Sequence, residues 1–117
     1  MAGTSSSRDA ALAAARLISD HKGEDTVVLD LSEVSPIADY FIIATARSAA
    51  HLAGLARELF DFLGGLGLRP LNRHRRRQEK GWVLMDCGAL VIHLMEKEQR
   101  DFYDLERLWF RAERVSY

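Results

Sequence analysis

Asp30 and Asp39 are the carboxylates that chemistry would most readily use. Each lies at an end of an apolar segment, Thr26 to Leu31 or Tyr40 to Thr45, and on adjacent strands the pair would hold magnesium for nucleotidyl transfer. Both serve equally well as strand ends or turn acceptors, the commoner use of aspartate beside a strand. A phosphate cradle needs glycine for close approach, and Thr45-Ala46-Arg47-Ser48, which opens a helix, has none. No Walker loop or dinucleotide fingerprint occurs, and His21, His51, His74 and His93 have no paired spacing that would build a zinc site. Cys87 and His93 would be nucleophile and base if they met. If Cys87-Gly88 forms a tight hairpin, however, Trp82 pairs with His93, and the two groups lie roughly 13–17 Å apart along the strand. No catalytic residue, metal or cofactor is expected.

The same hairpin sorts its residues into two faces. Val83, Met85, Leu90 and Ile92 form an apolar face that belongs to a core. Trp82, Leu84, Asp86, Val91 and His93 form the other, where an indole, a carboxylate and an imidazole among aliphatics match the composition of a protein-binding surface. Burial of Trp82 and His93 under the last helix is the alternative. Arg100, Tyr103 and Glu106, three residues apart, fall in one band of that helix beside its apolar stripe and serve either a partner or ordinary solvated pairing.

Charge is unevenly spread over the 117 residues, whose net charge is −1. Arg69 to Lys80 holds six basic residues and one acid, so the rest of the chain is acidic. Within this segment Arg73, Arg75, Arg76 and Arg77 are the candidate RNA contacts, with a solvated loop as the plainer reading. An apolar share of 48% and a charged share of 28% describe an ordinary single globular domain. No apolar run approaches the roughly 20 residues that span a bilayer, no secretory or transit-like start is evident, and Cys87 has no second cysteine to pair with. A cytoplasmic protein, bacterial rather than organellar, is the expectation.

The elements that must position these groups follow from periodicity. Residues 1–8 read as a flexible end and 9–117 as the domain. Ala10, Ala13, Ala14, Leu17 and Ile18 predict a helix from about Arg8 to His21, ended by Lys22-Gly23. Strands follow at Thr26 to Leu31 and Tyr40 to Thr45. Ser48 caps a helix with the stripe Leu52, Leu55, Ala56, Leu59, Phe60 and Leu63, which Gly64-Gly65 stops. A short extended piece, Leu68 to Leu71, precedes strands at Trp82 to Asp86 and Ala89 to Met95. A last helix, Lys97 to Ala112, turns Phe102, Leu105, Leu108, Trp109 and Ala112 inward. This order predicts an α+β layered domain: a mixed β-sheet of about five strands, covered by helices fully on one face and partly on the other.

Val28-Leu29-Asp30-Leu31, Ala38 to Thr45, Trp82 to Asp86, Val91-Ile92-His93 and Arg100 to Trp109, in this order, resemble the ribosomal silencing factor (Iojap) family over about Asp9 to Ala112. The resemblance implies a nucleotidyltransferase-like fold without catalytic activity. It also implies binding to the large ribosomal subunit through that subunit's fourteenth protein, steric obstruction of subunit joining, and a homodimer when free. Matched residue by residue, Asp39, Tyr40, Trp82, Asp86, His93, Arg100, Tyr103, Glu106 and Trp109 form the partner surface or its support. Three places depart from the family's pattern: Ala46 replaces a glycine after the threonine, Asn72-Arg73-His74-Arg75 replaces a Glu-Gly pair, and Ala89 replaces an acid in the hairpin. A magnesium-dependent nucleotidyltransferase and an RNA-binding module using residues 69–80 are the alternatives.

Overall fold

A computed structural model describes the backbone of residues 3–71, 77–79 and 81–117. Helix α1 spans Gly3–Asp20 and turns Ala10, Ala11, Ala14, Ala15 and Ile18 onto the sheet; small side chains let the helix approach closely. The chain reverses at Lys22 (φ 73) and Gly23. Gly23 is required here, because a Cβ would stand 2.3 Å from Ile18 Cγ2 and 2.9 Å from the Ile18 carbonyl oxygen. Strands β1 (Glu24–Asp30) and β2 (Tyr40–Ala46) follow. Helix α2, Ala49–Gly65, starts where the Ser48 hydroxyl accepts from the His51 N–H at 3.1 Å.

Strands β3 (Arg77–Glu79), β4 (Trp82–Asp86) and β5 (Leu90–Glu96) are succeeded by α3 (Lys97–Tyr103), the single turn α4 (Leu105–Leu108) and β6 (Glu113–Val115). Among the described residues the sheet has six strands in the order β3-β4-β5-β2-β1-β6. Among these described pairings, only β2 with β5 is parallel. The expected mixed sheet with flanking helices is therefore present, with one strand more than the sequence suggests.

Leu68 to Leu71 is not a strand. Its one ladder-like contact is the Leu71 N–H donating to the Asp86 carbonyl at 2.6 Å, and β3 forms the sheet edge instead. The hairpin turn lies at Gly88-Ala89, where Gly88 takes φ +84, so Trp82 faces Met95 and His93 faces Leu84. The shift from the expected register is two residues. Strand side chains alternate with a period of two, so both predicted faces survive it.

The last helix breaks at Asp104, which adopts a left-handed conformation (φ 46, ψ 56). Residues six apart on an unbroken helix point about 120° away from one another, so Arg100 and Glu106 could not pair on one. The break brings them together and redirects the chain so that β6 pairs with β1. Phe102 and Leu108, expected inward, are instead 78% and 69% exposed.

One core lies between α1, α2 and the first sheet face, where Tyr40, Ile42, Met85, Ile92 and Leu94 meet Ile18, Leu55 and Leu59. Each such side chain contributes about 1.5–3 kcal/mol by leaving water. A smaller core covers part of the second face, where Leu29, Leu31, Ile43 and Met95 pack under Leu105, Trp109 and Ala112.

Candidate partner-binding face

The rest of the second face is the candidate site. Register places Asp86, Val91 and Phe41 in one row across β4, β5 and β2, with Leu84, His93 and Ile43 in the next and Trp82, Met95 and Thr45 in the third. Helix α3 folds back over the third row, where Tyr103 meets Trp82 and Arg100 meets Thr45, whereas in the first row Val91 is buried. Trp82, Leu84, Asp86 and Phe41 are each half-buried.

Ring contacts hold these groups together. Tyr103 stands 4.9 Å from Trp82 between centroids, Phe41 stands 4.9 Å from His93, and Trp109 meets Phe41 edge-on at 5.6 Å. Phe102 packs edge-on against Tyr103 at 4.8 Å and otherwise faces solvent. Offset and edge-on pairs of this kind add about 0.5–1.5 kcal/mol beyond area burial.

Trp82 Nε1 donates to His93 Nδ1 at 3.2 Å, which leaves the imidazole proton on Nε2. That nitrogen is buried and has no partner among the described residues. His93 is only 7% exposed, and burial lowers its pKa from 6.5 to about 4. It is a neutral acceptor at physiological pH.

Arg100 is 8% exposed and does not belong to a solvated band. Its Nη2 and Nε donate to the two carboxylate oxygens of Glu106 at 2.8 and 3.3 Å, and Nη1 donates to the Thr45 hydroxyl at 3.0 Å. A polar cavity of about 700 Å³ borders the pair on the side away from Trp82, lined in part by Asp25, Asp101, Asp104 and Arg114.

The remaining expectations sort clearly. Tyr40 lies in the helix-covered core and supports the sheet from behind. Asp39 immediately precedes β2: its N–H donates to the Ala89 carbonyl at 2.8 Å, and its own carbonyl accepts from the Leu31 N–H at 2.7 Å. Asp86 Oδ1 accepts from the Gly88 N–H at 2.9 Å and braces the hairpin turn. Arg73, Arg75 and Arg76 lie outside the described residues, and Arg77 is described only through its backbone pairing in β3.

The carboxylate pair does not assemble. Asp30 Oδ1 accepts from the Ser32 N–H and hydroxyl at 2.9 and 2.6 Å, a turn role. Asp30 lies opposite Tyr40, so its neighbour Asp39 alternates to the other side of the sheet. No group of three or more His, Cys, Asp or Glu that could hold a metal occurs among the described residues. Cys87 and His93 also sit on opposite faces. The Cys87 thiol packs against the first core, and desolvation chiefly, with Asp86, pushes its pKa up to about 11.

Phe41 was missed because every residue from Tyr40 to Thr45 suits a buried strand and the run carries no facing information. Its register with Val91 supplies that information. Phe110 was also missed; it is 78% exposed near Trp109.

Comparison with known proteins decides the family. The family model described as "Ribosomal silencing factor during starvation" matches residues 4–117. The chain belongs to this family. A ribosomal silencing factor of Bacillus subtilis is 35% identical over 96 residues, covering 82% of this chain and 80% of that protein. The mouse "Mitochondrial assembly of ribosomal large subunit protein 1" is 30% identical over 95 residues, covering 80% of this chain and 42% of its own length. A crystal structure of a Chromobacterium violaceum protein superposes with a TM-score of 0.79 at 29% identity, covering 95% of this chain and 91% of that one. Silencing-factor membership thus coincides with a sheet face that gathers aromatic groups.

Proposed function

We propose that this ribosomal silencing factor binds the large ribosomal subunit through the subunit's fourteenth protein and obstructs joining with the small subunit, so that translation is repressed. The observation that carries the reading is the partly roofed second face, where Trp82, packed against Tyr103, shares the surface with half-buried Phe41 and Leu84. Aromatic anchors in a desolvated patch with a polar rim are the usual source of protein-binding energy. Family membership and the relatives' names support the ribosome as the partner.

The mechanism is one of volume. The bound domain fills space that the small subunit needs, and no bond is made or broken. In this reading the protein acts in the cytoplasm and pairs with a second copy when free. Sedimentation tests it: the purified protein comigrates with large subunits and lowers the fraction of joined ribosomes. Joining at the normal rate in the presence of excess protein refutes it.

A further inference from the structure

We infer that Arg100 is a positioning residue for the partner-binding face: its guanidinium holds the bend at Asp104 and so keeps Tyr103 packed against Trp82. The inference rests on the reading of that face as the docking surface.

The bend is held by the Asp104 N–H donating to the Arg100 carbonyl at 2.9 Å, by Leu105 and Trp109 packing on the smaller core, and by the side-chain bonds of Arg100. Asp104 is a non-glycine residue at positive φ, and its side chain makes no capping hydrogen bond to α4. Helix α4 has four residues, too few to be stable by its own hydrogen bonds. The contact that spans the bend with strong geometry is Arg100 to Glu106, two parallel charge-assisted bonds at 2.8 and 3.3 Å. Its third bond, Nη1 to the Thr45 hydroxyl, ties the bend to β2 at the sheet centre. The three bonds fix α3, α4 and the sheet relative to one another.

Tyr103 is the last residue before the bend, with its ring 4.9 Å from that of Trp82. The Trp82 indole is in turn held by His93. Hydrogen bonds on one side and ring packing on the other thus meet at the α3 terminus. Rotation at Asp104 would shift α3 relative to Leu105 and Trp109 and carry Tyr103 off Trp82, while leaving the core under α1 and α2 in place. The cavity borders the otherwise buried Arg100, and the three hydrogen bonds orient its guanidinium there.

The experiment compares Arg100→Ala, Thr45→Val, Trp82→Ala and Tyr103→Ala for binding to large subunits, and follows the two indole N–H resonances by NMR. The Trp82 resonance is assigned by its loss in Trp82→Phe. Arg100→Ala is expected to move that resonance and weaken binding about tenfold or more. Millimolar guanidinium, which fits the vacated space beside the cavity, restores both without restoring binding in Trp82→Ala. Thr45→Val preserves volume and removes one of the three bonds, and it is expected to shift the same resonance by less. If Arg100→Ala is unfolded, Thr45→Val decides: an unmoved Trp82 resonance overturns the inference. Unchanged affinity in folded Arg100→Ala, with Trp82→Ala and Tyr103→Ala impaired, also overturns it but leaves the docking face standing. Parent-like binding by Trp82→Ala and Tyr103→Ala removes the docking face itself.

Discussion

The Trp82 indole donates to Nδ1 of His93 across 3.2 Å, tying a half-buried aromatic side chain to a base that stays uncharged at neutral pH. The pair spans β4 and β5 and fixes one rotamer of the largest side chain on the open face. A charged His93 could not accept this bond, so desolvation of the imidazole is part of what holds Trp82 in place.

This desolvation has a pH signature. The folded pKa of His93 is lowered to about 4, so between that value and 6.5 the unfolded chain binds more protons than the folded one. Stability therefore rises with pH across this window and is fully present above 6.5, with an integrated effect on the order of 3 kcal/mol. Urea denaturation at pH 5 and pH 7 measures it. His93→Gln should flatten that part of the profile; an unchanged slope would mean that another group titrates.

Truncation of the anchors should reduce ribosome affinity more than fold stability. Trp82→Ala and Tyr103→Ala are each expected to cost about 2 kcal/mol of binding, roughly thirtyfold. Titration with purified large subunits, paired with thermal melts, separates the two effects.

Two ion pairs of the α3 region should behave differently. Glu106→Gln disrupts a pair whose side chains are 9% and 22% exposed, and breaking a buried pair costs about 3–5 kcal/mol. Lys97→Ala removes an exposed pair with Asp101, worth about 0.3–0.5 kcal/mol. Chemical denaturation of both variants should show at least a severalfold difference in the loss. Equal losses would place the Arg100 pair among ordinary surface contacts.

Gly23→Ala should destabilise the fold by about 1–3 kcal/mol, because the added methyl meets Ile18 backbone as well as side chain. Gly88→Ala meets no atom within 4 Å and carries only the cost of positive φ, about 1–2 kcal/mol. Denaturation midpoints of the two variants test whether crowding at the α1 exit exceeds backbone strain in the hairpin.

Local signals in the chain determined much of this architecture. Ser48 and the stripe from Leu52 to Leu63 define α2 by capping and periodicity. Alternation along Trp82 to Asp86 and Val91 to Met95 assigns both faces of the hairpin even with its turn misplaced, because a slip of two residues preserves facing. The candidate partner face is thus half legible, through Trp82, Leu84, Val91 and His93. Tertiary structure decided the rest. Phe41 joins the face only through the parallel pairing of β2 with β5, and Glu113–Val115 becomes a strand only because β1 offers it an edge. The break at Asp104 has no glycine or proline to announce it. It exists because Arg100 reaches Glu106 and Thr45, and contacts that close across 6 and 55 residues leave no periodic trace in a sequence.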